Sequence, residues 1–534
     1  MNVSSIYAIA AGGCFLALFL IQTRTTMVGW IESCSVLISR HVTLPTLIHR
    51  HRVWGPWSRL NFLIYLIYII VNIIIVFFYT HSVAQAGRRA RELALINLTF
   101  PLSATHLGCL ADLLGITWRT YCKIHQATGW MSVALLSFHV VAGCQSRGFS
   151  FPLRPTRNIF TLIGSISLAA LALLSLPWLR RRCYKVFLRS HQALTALFLY
   201  SAWRYLPDQS RLSKLYLYVP LVILALTTLL EIINLCYTNR LFSGHGPPRA
   251  FISFTPEGSL THPKLNKAAQ VRLVLPRSIE IDTGQYINLW MPSVGSWPWL
   301  QTHPFILRGR HDTIELFVQP RGGITSDLLS LATGAPGCSV PFLAMFTDPH
   351  GTSEIVDRFK TVLLVASGFG IATTIPYLKK MIHGYNTCTL HIRRLHFSAS
   401  TNTNKSEMVS AAEYLLNPLL EDDIIDKGYI SHQLQNRNFI LSISIYVEKG
   451  LAHNKTPIGK YERACFYQGA PNNNNIVSLE ASGDQIKRLP SIRDKQGRTL
   501  VMAAGSLRDQ IRKTVKGFLH RGIRLRSWNT SRSN

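Results

Sequence analysis

Up to about residue 240 the chain alternates long apolar runs with short polar breaks. Seven apolar spans can be drawn, at Ile6–Ile21, Leu60–Tyr79, Leu93–Ile116, Ile124–Gly143, Ile159–Trp178, Phe187–Leu206 and Leu215–Tyr237. Each approaches the ~20 residues that cross a bilayer core. From Pro247 to Phe346 the pattern changes to short alternating segments broken by Gly and Pro: AFISF, QVRLVLP, QYINLWMP, HPFILR and IELFVQP. That spacing predicts a small antiparallel barrel or sandwich. From Lys360 it becomes strand, glycine loop, helix: TVLLVA, then Ser367 to Ala372, then TTIPYLKKMI. Further strands are predicted at 387–397, 439–447 and 499–503, with a helix over RDQIRKTVKGF. Residues 398–438 read as a polar excursion, 469–475 as a polar loop and 520–534 as a loose basic tail with affinity for a membrane surface. The expected fold is an α-helical transmembrane bundle of about seven spans, then a β-domain, then an α/β nucleotide-binding domain. The segments are 1–59 (anchor span and basic loop), 60–237, 247–350 and 351–534.

Charge sets the expected orientation. Lys and Arg number 56 against 26 Asp and Glu, a net +30. In a soluble chain this would point to nucleic acid, but no nucleic-acid motif is visible, and 48% of residues are apolar. Membrane lipid is the better partner for the basic residues. With seven spans, residues 22–59, the cluster Arg180, Arg181, Arg182, Lys185 and Arg189, and the C-terminal half share one side. The positive-inside rule makes that side cytoplasmic. Arg88, Arg89 and Arg91, with Arg147, Arg154 and Arg157, fall opposite. The first span lacks a basic start and a clear cleavage site, so it reads as an anchor rather than a signal peptide. Ten scattered cysteines with no CxxC pair argue against a zinc site or a disulfide framework.

The fourth span, YCKIHQATGWMSVALLSFHVV, carries His125 and His139, 14 residues apart. On a helix that is ~21 Å and just under four turns, so both rings leave one face at different depths. Ionisable groups inside a membrane are costly and are functional candidates by default. Two such imidazoles suit two hemes; the plainer alternative is hydrogen bonding at the interfaces. In the sixth span, His191 matches the first level. Fourteen residues on stands Tyr205, not histidine. Spans four and six run parallel, so His125 should face His191, and His139 should face Tyr205. A neutral tyrosine is a poor heme ligand, although a tyrosinate binds ferric heme, and an interfacial aromatic is the plain reading. His106 lacks a partner at this spacing and reads as a hydrogen-bonding core residue.

In the C-terminal half, glycines before a helix let backbone N–H groups approach a phosphate. Ser367-Gly368-Phe369-Gly370-Ile371 follows a buried strand and suits a dinucleotide, without the full GxGxxG spacing. Arg321-Gly322-Gly323-Ile324-Thr325 precedes a second apolar run. Ser398-Ala399-Ser400, after the next strand, offers no basic partner for a 2′-phosphate, so NADPH and NADH both stay open.

The order of parts resembles the fungal ferric reductases, relatives of the NADPH oxidases, from about residue 60 to 517. The resemblance lies in RRARELALINLTFPLSATHLGCLADLLGITWRTYCKIHQATGWMSVALLSFHV, in His303-Pro304-Phe305 and in the strand–Gly loop–helix. It implies a ferredoxin-reductase-type module with an FAD barrel, one or two b-type hemes, and electrons passing from NADPH through FAD and heme to ferric or cupric ions. It implies heme ligation by His125, His139 and His191, with Tyr205 at the fourth position. His303, Pro304, Phe305, Arg308, Gly322, Gly323 and Thr325 would bind FAD; Gly368, Gly370, Ile371 and Gly505 would bind NADPH. It also implies a plasma-membrane location with the C-terminal half in the cytosol.

This chain departs from the family at five places. They are Tyr205, Ile306 after the HPF element, Asp348-Pro349-His350-Gly351 in place of GPYG, Ala504 where a cysteine is usual, and the basic tail. Two alternatives therefore stand beside metal reduction: a degenerate member serving as a membrane scaffold, and an oxidoreductase acting on an organic substrate or oxygen.

Overall fold

The computed structural model describes residues 5, 7–13, 37–48, 57–103, 107–147, 156–206 without 183, 211–242, 248–253, 269–274, 282–294, 303–306, 313–318, 327–331 without 329, 341–401 without 348, 352, 354 and 369, 416–423, 439–448, 453–458, 461–483, 485, 498–520 and 525–529. They form two compact units, Met1–Ile232 and Ile233–Asn534.

The first unit is helical. Its helices are α1 (Arg59–Phe77), α2 (Val83–Leu102), α3 (Leu107–Leu113), α4 (Trp118–Arg147), α5 (Thr156–Leu174), α6 (Pro177–Arg182) and α7 (Tyr184–Tyr205). The eighth, α8 (Arg211–Thr238), begins in this unit. Ser58 and Ser82 cap α1 and α2 by accepting from the amides of Asn61 and Gln85, each satisfying an orphan donor. Seven spans are expected; among the described residues three helices are long and apolar enough to cross a membrane: Arg59–Phe77, Trp118–Gln145 and Arg211–Thr238. The first span lies largely outside the described residues, as does His106.

The third expected span is misplaced. The helix there is α2, and it stops at Leu102 instead of running to Ile116. It takes Arg88, Arg89 and Arg91 into its body rather than leaving them in a loop. What defines this helix is its packing face. Ala86, Ala90, Leu93 and Ala94 are buried and cluster with Leu135 of α4. Polar side chains add links between helices, as expected where lipid offers no hydrophobic drive. Tyr68 Oη donates to Asn97 Oδ1 at 2.7 Å, Asn97 Nδ2 donates to Asn72 Oδ1 at 2.8 Å, and Ser132 Oγ donates to the Ala94 carbonyl at 3.3 Å.

The second unit holds two antiparallel sheets and one mostly parallel sheet. Strands β1 (Arg249–Ser253), β2 (Ala269–Val274), β3 (Tyr286–Trp290), β4 (His303–Ile306), β5 (Thr313–Val318), β6 (Pro341–Leu343) and β7 (Met345–Phe346) pair in the orders β5-β2-β1-β6 and β4-β3-β7. The burial of β3 alternates, with Ile287 and Leu289 at 0% and 1% exposure, the period-two pattern of a sheet with one covered face. Asn239, just past α8, is fully buried; its amide donates to the Phe346 carbonyl at 2.8 Å and accepts from the Phe346 amide at 3.1 Å.

The third sheet contains β8 (Thr361–Ser367), β9 (Arg394–Thr401), β10 (Leu441–Val447), β11 (Lys455–Ile458), β12 (Tyr461–Gln468), β13 (Thr499–Ala504) and β14 (Leu525–Asn529), in the order β11-β12-β10-β9-β8-β13-β14. All pairings are parallel except β11 with β12. Helices α9 (Gly370–Asn386), α10 (Asn473–Ser482) and α11 (Arg508–His520) pack with it. Strand β8 is buried along six consecutive residues, the near-continuous apolar run of a parallel strand covered on both faces.

Three expectations need correction here. The strand expected at 387–397 begins only at Arg394, because a turn around Cys388 (φ 57°) comes first. It then runs on to Thr401, into the stretch expected as an excursion. The loop expected at 469–475 already starts α10 at Asn473, with Asn472 as its cap. The tail is not loose throughout. Residues 525–529 form β14 and pair in parallel with β13, which otherwise would be an edge strand.

Candidate functional site

Helices α4 and α7 bring the sequence-predicted side chains together at two levels. At one, the rings of His125 and His191 lie 6.4 Å apart between centroids, tilted by 54°. The Nδ1 atoms of both are buried and have no hydrogen-bond partner. Thr128 Oγ1 donates to the carbonyls of Ile124 and His125, and Thr195 Oγ1 to that of His191, so both histidine-bearing turns are tied down along their own helices. Buried polar atoms are almost always satisfied in a native fold. Two opposed, orphaned imidazoles therefore fit a metal-bearing group between them, and a heme iron takes axial imidazole.

At the second level His139 and Tyr205 have the same ring separation, 6.4 Å, but touch directly: His139 Nε2 lies 3.3 Å from Tyr205 Oη. His139 Nδ1 lies 2.8 Å from the Gly87 carbonyl. A carbonyl only accepts, so Nδ1 carries the proton and Nε2 accepts from the tyrosine hydroxyl. Gly87 allows this contact. A Cβ there would meet Ala142 Cβ at 2.8 Å, so only glycine lets α2 lie this close to α4.

In the parallel sheet, the chain runs from β8 outward through β9 and β10, then returns to β13 on the other side of β8. The crevice between the carboxyl ends of β8 and β13 is therefore a topological switch point, where open α/β sheets bind nucleotides. Gly368 has φ +52° and Gly505 φ +81°. A Cβ on Gly505 would sit 2.3 Å from Ser367 Oγ and 2.6 Å from the Ser367 carbonyl. One on Gly370 would sit 3.1 Å from the Ala504 carbonyl carbon. Ile371 is buried in the first turn of α9, whose N-terminus opens here. The two loops form a cradle that side chains would fill, and a helix N-terminus favours an anion.

In the antiparallel sheets, His303, Pro304 and Phe305 lie in β4 and pair with Leu289, Asn288 and Ile287 of β3. Arg308, Gly322, Gly323 and Thr325 lie outside the described residues. His350 is buried and bridges Tyr286 through reciprocal backbone hydrogen bonds of 2.8 and 2.9 Å. Gly351, at φ +103°, turns the chain beside it. Among the described residues no group of three or more His, Cys, Asp or Glu could hold a metal ion.

Residues 90–202 match the model of the ferric reductase like transmembrane component. That segment is similar to a ferric reductase transmembrane domain. Two curated relatives from Saccharomyces cerevisiae agree. Ferric reductase transmembrane component 6 is 21% identical over 357 residues, covering 65% of this chain and 45% of that protein. Component 3 is 20% identical over 299 residues, covering 53% and 38%. The chain spans less than half the length of these relatives. Among solved structures, flavohemoglobin from Malassezia yamatoensis with bound FAD and heme overlaps at a TM-score of 0.36, with 13% identity, over 88% of this chain and 98% of that one. The matched segment contains His125, His139 and His191 but stops before Tyr205. Sequence reading passed over one contributor to these sites, the Gly87 carbonyl. Gly87 left a trace, since it stands in the small-residue run AQAG at a helix contact. Ser367 reads as the start of the glycine loop, but its approach to Gly505 depends on a strand far along the chain.

Proposed function

We propose that the chain is a membrane oxidoreductase passing electrons from NAD(P)H through FAD and b-type heme to a metal ion such as ferric iron or cupric copper. The observation that carries the reading is the opposed His125–His191 pair with both Nδ1 atoms buried and unpartnered. When bound, the flavin converts a two-electron hydride into single electrons and the heme conducts them one at a time. The residues supply position rather than acid–base chemistry. His125 and His191 would hold heme. Gly368, Gly370, Ile371 and Gly505 leave the space and the helix N-terminus that would take the pyrophosphate of NADPH or NADH. His303, Pro304 and Phe305, with Arg308, Gly322, Gly323 and Thr325, would hold FAD. Arg180 to Arg182 and the basic residues of 22–59 favour a cytoplasmic side shared with the nucleotide-binding half; the plasma membrane as location rests on the family resemblance alone.

The test is spectroscopic. Detergent-purified protein supplied with FAD and heme should show a reduced b-type band on adding NADPH, and should reduce a ferric chelate. His191→Ala should abolish both. A wild-type protein without any b-type band would overturn the proposal.

A further inference from the structure

The two levels of the α4–α7 pair are unequal, and the difference bears on how many hemes the bundle takes. We infer that the chain holds one heme, at His125 and His191, and that the direct His139–Tyr205 hydrogen bond occupies the place of a second. This rests on the heme reading proposed above.

Ring spacing separates the two levels. Metal–nitrogen bonds are ~2 Å, and an imidazole centre lies ~1 Å behind its nitrogen, so two imidazoles sharing one metal have centres roughly 6 Å apart. The His125–His191 spacing of 6.4 Å meets that requirement. A phenol oxygen lies ~3 Å from its ring centre, so a tyrosine and a histidine sharing a metal need centres roughly 8 Å apart. His139 and Tyr205 stand at 6.4 Å, with oxygen and nitrogen only 3.3 Å from each other. No iron fits between them.

Protonation points the same way. The Gly87 carbonyl fixes the proton on His139 Nδ1, so the Nε2 lone pair accepts from Tyr205. The two atoms that would face a metal are thus engaged with each other. Packing holds the arrangement. Gly87 lets α2 close on α4 until a Cβ would lie 2.8 Å from Ala142, and this keeps His139 seated on the Gly87 carbonyl. With one heme, electrons leave the protein from the His125 level, and the acceptor must reach that level rather than the His139 level.

The experiment is heme per polypeptide on the detergent-purified full chain, by pyridine hemochrome absorbance against amino-acid analysis, with a redox titration alongside. The expected ratio is one, with a single one-electron step. It should stay at one in His139→Ala and Tyr205→Phe, and fall to zero in His191→Ala while FAD is retained. A wild-type ratio of two with two steps, or loss of a heme in His139→Ala, overturns the inference and leaves the heme reading standing. A wild-type ratio of zero overturns both.

Discussion

Single side chains in the α/β domain set opposite responses to pH. Glu480 of α10 is 2% exposed. Arg394 Nη2 donates to its Oε1 at 2.9 Å, and His396 Nδ1 lies 2.8 Å from the same oxygen, while His396 Nε2 reaches Ser444 Oγ at 3.0 Å. Burial pushes the Glu480 carboxyl up, but the hydrogen bonds and charges of His396 and Arg394 outweigh that and hold it at about 2. A depressed carboxyl stabilises the fold above its ordinary range and loses that contribution as pH falls. For Glu480 the loss runs from about 4.5 down through about 2. Asp423 is the reverse. Burial raises it to about 6, against the Leu441 amide, Arg463 and the Ile440 amide, which lower it. Its contribution is full below 3.8 and is lost as pH rises through about 6. Glu480→Ala strips the partner from a half-buried guanidinium and a buried imidazole, so it should cost about 3 kcal/mol, the low end of the range for breaking a buried pair. A thermal melt of the solubilised protein at pH 7 checks this; a shift no larger than that of a surface mutant would contradict it.

At the scale of elements, glycines decide what may touch. Gly87→Ala should drive α2 from α4 and cost about 1–3 kcal/mol, the usual range for overpacking. Gly505→Ala combines a positive φ with a Cβ inside the contact shell of Ser367, and should lower NADPH affinity at least tenfold by isothermal titration. Gly368→Ala also meets a positive φ, but nothing lies within 4 Å of its Cβ, so its cost should stay near the ~1–2 kcal/mol of left-handed strain. If the two variants bound equally well, the cradle would not be where the nucleotide sits.

The same elements show what the sequence could reveal. Strand β8 and its glycine turn were legible because continuous apolar burial and glycine punctuation are local signals. The facing of His125 with His191 and of His139 with Tyr205 followed from equal spacing on two parallel helices. Helix α2 was displaced because its inward face is alanine and glycine, which bury well but barely register in hydropathy. Strands β11 and β12 and the tail strand β14 were missed. The tail's arginines resemble a solvated end, and only the free edge of β13 gives it a reason to pair.

Across the whole molecule, the parts differ in what completes them. The parallel sheet carries its own dependence on completeness. Deleting residues 521–534 removes β14 and leaves β13 as an exposed edge. We expect such a truncation to lower the melting temperature and promote aggregation, read by light scattering during a melt. An unchanged melt would assign the tail no structural part.

The crevice between β8 and β13 also has a consequence for biosynthesis. Its floor pairs Ala366 with Ala504, so β9, β10, β11, β12 and α10 all lie in the sequence between its two walls. Contacts this distant close late in folding, after the chain entropy of the intervening loop has been spent. A nascent chain still lacking its last strands has β8 and the first glycine turn but no opposing wall. On the proposed reading, nucleotide capture would then have to wait until β13 has been made and has joined the sheet beside β8.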